Sequence, residues 1–422
     1  MSPPKPTPRW STERVTSFQA LRGWNTAQKH VVVASWLGWT LDAFDFFLMV
    51  FVIRDVAAAF GVEKSAVAWA ATLTLALRPA GAFLFGRLAD RFGRRPVLML
   101  DVALYSLLGF ATAFAPSLVA FLAIRAAFGI AMGGEWGIGA SLTMEWIKPQ
   151  ARGLVSGLLQ SGYPAGYLIA SLVYRNLHDI IGWRGMFMVG LVPALLILYI
   201  RRHVPESPGW SRDRARATTV IQVLRTHWKL ALYAVVLMTA FNFFSHGTQD
   251  AYPTFLQVQH RFDTHLTGTI AVLYNIGAIL GGWTFGLWSQ SLGRRRAIVI
   301  AALLAIPITW LWAYSSSAGL LALGAFLMQF FVQGAWGVIP AHLNELSPPE
   351  ARGTFPGTVY QLGNFIASYN LVLQTQIAHR NGDNFSFALV SVAIAAALAI
   401  AVLTSLGPEA RHIDMAQAAR KA

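Results

Sequence analysis

The chain has no cysteine, which removes disulfides, thiolate nucleophiles and cysteine-held metals from consideration. It is also poor in charge. Asp, Glu, Lys and Arg make up 12% of its 422 residues, about half of the roughly 25% usual in soluble domains. There is no G-x-x-x-x-G-K-S/T phosphate loop and no HExxH helix, so nucleotide hydrolysis by that route and zinc-peptidase chemistry both lack their parts. The first 29 residues are polar and proline-rich, without the apolar stretch of a cleavable signal peptide. The expectation is a protein that is not an enzyme and carries no cofactor or metal.

What is abundant is apolar: 55% of the residues are hydrophobic and the mean hydropathy is +0.50. At about 20 residues per membrane-spanning helix, the chain has room for twelve spans. Six apolar runs, broken by Pro and Gly, lie between residues 30 and 200, and six more between 229 and 406. An Arg-, Pro- and Ser-rich stretch, 201–228, separates them. The expected fold is an all-α membrane protein of twelve transmembrane helices in two six-helix halves. Residues 1–29 and 407–422 are its tails and 201–228 its linker, all expected on the cytoplasmic side.

That orientation comes from charge. The net charge of +14 would suggest nucleic acid in a soluble protein, but its distribution argues otherwise. The N-terminus, the even-numbered loops and the C-terminus hold 25 of the 33 Lys and Arg. Loops rich in Lys and Arg stay cytoplasmic, so the charge reads as topology, in a cytoplasmic membrane and without a nucleic-acid partner.

The halves repeat at a spacing of 200 residues. Gly86 and the GRR at 93–95 recur as Gly286 and the GRR at 293–295; Gly134, Trp136 and Gly137 recur as Gly334, Trp336 and Gly337. Glu145 with the ARG at 151–153 recurs as Glu345 with the ARG at 351–353, and Asp42 and Asp45 correspond to Asn242 and Ser245. Two parallel repeats about an axis normal to the membrane place a transport site between them near the midplane.

The loop GRLADRFGRR at 86–95 resembles the signature between spans two and three of the major facilitator superfamily, and RAAFGIAMGGEWG at 125–137 resembles its span-four pattern. In the second half the acidic position of the loop is Gln290, so the gating contact expected from Asp90 should be weaker there. In span seven, NFFSHGTQDAYPT at 242–254 is similar to the N-x-x-S/T-H-x-S/T-Q-D-x-x-x-T pattern of lactate and pyruvate permeases in the sialate:proton symporter family. Seven specified positions match within thirteen residues. The resemblance implies proton-coupled uptake of a short monocarboxylate by a protein that works as a monomer. A sialic-acid symporter of the same family, or one for another larger acidic solute, is the alternative.

The residues also speak for themselves. Asn242, Ser245, His246, Gln249 and Asp250 are spaced to share one helix face. A charge at the bilayer centre costs at least about 2.5–3.5 kcal/mol, so this stripe should face a cavity, with polar helix packing as the plainer reading. Asp250 and His246, one turn apart, are expected to carry the coupled proton, or His246 to act as a hydrogen-bond donor to substrate. Pro253 removes a backbone donor and opens the helix near Gln249.

A carboxylate needs a cation, and guanidinium matches it with two prongs. Arg78, in the apolar run before Pro79, is assigned to the substrate. Arg125, matched by Ala325 in the other half, is assigned to a switchable pair with Asp45, with Asp42 a turn away; such a span-one Asp is the partner in sugar-transporting members of the superfamily. Permanent structural ion pairs are the alternative for both. Tyr360 and Asn364, four apart in span eleven, are expected to line the cavity. Asp90, Arg94, Arg95, Glu145, Arg152, Glu345 and Arg352 are expected to gate it, together with Glu135. Bulky Phe47, Phe243, Phe244 and Tyr252 suggest a small cavity.

Overall fold

The computed structural model describes residues 23–210, 220–409, 413 and 415. Most of the two tails and the middle of the 201–228 linker lie outside the described residues. Every regular element described is helical. Apolar side chains in such long runs leave the backbone no polar partner but itself, and a helix satisfies its hydrogen bonds internally.

Nine helices among the described residues are long and apolar enough to cross a membrane: Thr26–Phe51, Lys64–Phe92, Arg94–Thr112, Leu118–Trp146, Arg225–Val258, Thr264–Leu292, Arg294–Ala313, Ala318–Leu346 and Phe385–Leu406. In chain order they are spans one to four, seven to ten, and twelve. Spans five and six are more broken. Arg152–Gln160 leads into Gly162–Val189, which is interrupted at Gly182 (φ 63°), and Ala194–His203 finishes the half. Span eleven is Phe355–Ala367 followed by Asn370–Arg380. It fails on composition, because Gln361, Asn364, Asn370 and Gln374 are buried in it. The interrupted and polar spans are those that hydropathy alone underrates, and with them the count is twelve.

Packing repeats with the sequence. Spans two and four meet through small residues: a Cβ at Gly81 would stand 1.8 Å from the carbonyl oxygen of Ile130. Spans eight and ten do the same, with Gly281 set against Phe330. Without a hydrophobic drive between helices in lipid, such close backbone approach is what holds them together.

Candidate functional site

The site begins at its closed end. Gly93 and Gly293 turn the chain between spans two and three and between eight and nine at φ 106° and 97°, in the left-handed range that favours glycine. Each turn aims the next arginine inward. Arg94 Nη2 lies 3.2 Å from Asp90 Oδ1 and 3.3 Å from Glu145 Oε1; Arg294 donates through Nε and Nη2 to both oxygens of Glu345, each at 3.0 Å. The N–H groups opening span three donate to the Glu206 carboxylate, 2.9 Å from Arg94 N, and those opening span nine to Glu409, 3.1 Å from Arg295 N. Sequence reasoning missed both glutamates. Their signal was an acid a few residues past the end of each half.

The two halves then lock together beside these turns. Asp90 accepts from the N–H of Gly353 at 2.7 Å and from the N–H and hydroxyl of Thr354 at 3.0 and 2.6 Å. Those donors open span eleven, where the helix dipole favours an anion. In the repeated position Gln290 accepts from Arg294 Nη2 of its own half at 3.2 Å and one N–H from the other half, that of Gly153, at 3.2 Å, so across the halves the neutral side has one donor where the charged side has three. Arg152 stands 3.9 Å from Glu345 and donates to Met144 O and Ile413 O at 2.9 and 2.6 Å. Arg352 donates to Met415 O at 2.9 Å. Arg95, grouped with these gating residues from the sequence, binds within its own half, to Arg201 O at 2.5 Å.

Beyond this closure lies a cavity of about 440 Å³ between the halves. Arg78, Asn242, His246, Gln249, Asp250, Tyr360 and Asn364 all line it, and it reaches Phe51 and Pro253 at the opposite ends of spans one and seven. Asp42, Asp45 and Arg125 are buried behind its wall inside the first half. The expected crowding does not occur. Phe244 and Tyr252 are fully buried in the second-half core, Phe243 packs against that core, and of the four bulky residues Phe47 alone lines the cavity.

On the second-half wall, His246 is held at both ring nitrogens. Nδ1 is 3.0 Å from Asp250 Oδ2 and Nε2 is 2.9 Å from Asn364 Oδ1, while Asn364 donates its own amide to Gln361 at 3.3 Å. Two oxygens facing two ring nitrogens is the arrangement that a doubly protonated imidazolium satisfies. Gln249 donates to Gln329 at 2.7 Å, and Gln333 donates to Ser245 at 3.2 Å. These span-ten glutamines extend the polar stripe and carried no signal in the sequence.

On the first-half wall the pairing differs from the sequence reading. Arg78 Nη2 lies 3.1 Å from Asp42 Oδ2 and 2.7 Å from Met132 Sδ. Arg125 forms no ion pair with Asp45. Its three guanidinium nitrogens have no hydrogen-bond partner among the described residues, and its charge rests on the face of Phe128, 3.8 Å from the ring centre. Glu135 also departs from expectation: among the described residues it makes no gating contact, and both carboxylate oxygens are buried without partners. The cavity floor is aromatic. Trp136 and its repeat Trp336 both pack on Tyr360, at 4.7 and 5.4 Å between ring centres, and Trp39 joins them at 6.5 Å.

Two parallel six-helix halves closed by GRR loops match the model of the Major Facilitator Superfamily, which covers residues 35–368 and 251–420. The chain belongs to that superfamily. Its members are transporters, not enzymes, and the relatives of this one share that description. A carboxylic acid transporter protein homolog of Saccharomyces cerevisiae is 29% identical over 401 residues, 88% of this chain and 65% of the yeast protein, so the chain spans just under two thirds of that relative. The sialic acid transporter NanX of Escherichia coli is 27% identical over 385 residues, 90% of this chain and 94% of its own. Among solved structures, the proton:xylose symporter XylE superposes with a TM-score of 0.70 at 18% identity, over 93% of this chain and 98% of that one. As a superfamily member the chain is a multi-pass secondary transporter of small solutes.

Proposed function

We propose that this transporter is a proton-coupled symporter of a short monocarboxylate of the lactate or pyruvate class, working by alternating access in a cytoplasmic membrane with both termini inside, as a monomer. The observation that carries the reading is the cavity itself. It has a guanidinium, Arg78, on one wall and a His–Asp pair that can take up and release a proton on the other. A carboxylate entering it competes with Asp42 for Arg78. Asn242, Gln249, Tyr360 and Asn364 supply hydrogen bonds around the rest of the molecule. Protons move through His246 and Asp250, with Asp42, Asp45 and Arg125 responding behind the wall. Asp90, Arg94, Glu145, Arg152, Glu345 and Arg352 hold or release the closed end. The carboxylic-acid description of the yeast relative agrees with the anion-binding wall.

A second reading is favoured by the volume of the cavity. About 440 Å³ lies within the size range of sites that take drug-sized ligands, and it leaves a three-carbon acid surrounded by water. A sialic acid or another larger acid fills it better, and the Escherichia coli relative is described as a sialic acid transporter.

Proteoliposomes loaded with a pH dye separate the readings. Lactate, pyruvate, acetate and sialic acid are added outside, and leakage of undissociated acid is subtracted with empty liposomes. Protein-dependent acidification with lactate or pyruvate supports the first reading, and acidification with sialic acid alone supports the second. Silence with all four rejects both.

A further inference from the structure

The first half buries more acid than base. Asp42, Asp45, Asp101 and Glu135 share it with Arg78 and Arg125, and none of the six is more than 3% exposed. Two guanidiniums offset two carboxylates. Arg78 is bound to Asp42, and Asp45 is the acid on which Arg125 acts most strongly. Asp101 and Glu135 are the surplus, and all four of their carboxylate oxygens lack hydrogen-bond partners among the described residues. An isolated buried carboxylate is costly enough that it takes up a proton instead.

The fold itself does not require these acids. At the repeated positions the second half carries Ala301 and Ala335, both fully buried. Access separates the two acids. Beside Glu135 is a pocket of about 10 Å³ lined by Ser35, Trp39, Trp136 and Gly139 among others, close to the space one water molecule needs. Three groups on its wall are buried and have no partner among the described residues: the Glu135 carboxylate, Ser35 Oγ and Trp39 Nε1. A water there meets one acceptor, one donor and one hydroxyl that can be either. Trp39 also lines the main cavity, so its indole is the wall between pocket and cavity.

We propose that Glu135 is a proton-binding site of the transport cycle, connected to the central cavity through a single water held by Ser35 and Trp39. The inference rests on the proton-coupled reading above. In the step itself the Glu135 O–H bond breaks and the pocket water takes that proton, while one of that water's own O–H bonds breaks and its proton goes to solvent water in the central cavity; the Trp39 N–H and the Ser35 hydroxyl only hold the relay water. The charged and titratable groups facing Glu135 are Asp42 of span one, Arg78 of span two, and Asp101 and Tyr105 of span three. Substrate that draws Arg78 from Asp42 leaves that carboxylate uncompensated nearby and so alters how firmly Glu135 holds its proton.

Infrared spectroscopy of the full chain in lipid nanodiscs tests this without a substrate. The wild type is expected to show a protonated-carboxyl C=O band that shifts in D2O, and Glu135→Gln to lose one component of it. Ser35→Ala is expected to keep the band and slow its deuterium shift. If Glu135→Gln does not fold, Glu135→Asp is expected to displace that component. An unchanged band in the Glu135 variant, or a wild-type exchange rate in Ser35→Ala, overturns the proposal. Dye-loaded proteoliposomes supply the second arm. A wild type that admits no protons with any of the four acids rejects symport, whereas the infrared result reports on Glu135 alone. If the wild type is coupled and Glu135→Gln admits as many protons per substrate, the coupling role of Glu135 is overturned.

Discussion

Thr354 gives Asp90 both its backbone N–H and its hydroxyl, so one residue at the mouth of span eleven supplies two of the three donors that Asp90 takes from the other half. Hydrogen bonds to a charged acceptor are worth about 1.5–3 kcal/mol each. Asp90→Asn keeps the shape and removes the charge, and is expected to shift the population toward opening on this side by about tenfold, roughly 1.4 kcal/mol. Spin labels on single introduced cysteines either side of the lock measure it, and the absence of native cysteine makes the labelling clean. Gln290→Asp is expected to do the reverse.

Removing Arg78 leaves Asp42 buried without its partner. Breaking a buried pair from one side costs about 3–5 kcal/mol, so Arg78→Ala is expected to lower thermal stability sharply and to abolish carboxylate uptake. Arg78→Met combined with Asp42→Leu is expected to recover most of the stability and none of the uptake. A thermal-shift assay beside radiolabelled uptake separates the two effects. An Arg78→Ala protein with wild-type substrate affinity ends the assignment of this guanidinium to the carboxylate.

For Asp250→Asn the expectation is a split between two assays. Exchange of labelled for unlabelled substrate across the membrane should persist, while accumulation driven by a pH gradient should fall at least tenfold. Asn364→Ala, which takes away the oxygen facing His246 Nε2, is expected to weaken coupling in the same direction but less. If Asp250→Asn still acidifies the lumen during uptake, the His246–Asp250 pair is not the carrier.

Tyr360 is wedged between two tryptophans, and aromatic pairs of this kind contribute about 0.5–1.5 kcal/mol each beyond burial. Tyr360→Phe should therefore fold and bind nearly normally. Tyr360→Ala should raise the KM for substrate about tenfold or more by enlarging the floor. Uptake kinetics of the two variants side by side test it.

The repeat at 200 residues made the architecture legible in the sequence, because each half states the other's boundaries. The span-seven stripe was legible for the same kind of reason: Asn242, His246, Gln249 and Asp250 obey helical spacing, and the cavity collects all of them. Spacing along one helix does not report the rotation of its neighbour. Asp42 and Asp45 lie three positions apart on span one, and Arg78 and Arg125 come from two different spans. Which acid meets which base depended on how spans two and four roll around Gly81 and Gly129, and the Arg78–Asp42 contact could not be told from Arg125–Asp45 beforehand. Side-chain direction misled the estimate of cavity size as well, since Phe244 and Tyr252 turn into the core. Asp101 offered no periodic partner and no motif, so nothing drew the eye to it.

The chain has in effect run its own alanine scan. Where the first half carries Arg78, Asp101, Arg125 and Glu135, the second carries Ala278, Ala301, Ala325 and Ala335, each packed into the interior with at most 3% of its surface exposed. At these four positions the same scaffold thus exists twice in one molecule, once charged and once neutral. A first half carrying alanine at these four positions, with Asn and Ser in place of Asp42 and Asp45 as at 242 and 245, should still fold and insert, without a guanidinium on its cavity wall. Transport as proposed draws on both halves: the first supplies these buried charges, and the second supplies the His246–Asp250 pair on the facing wall.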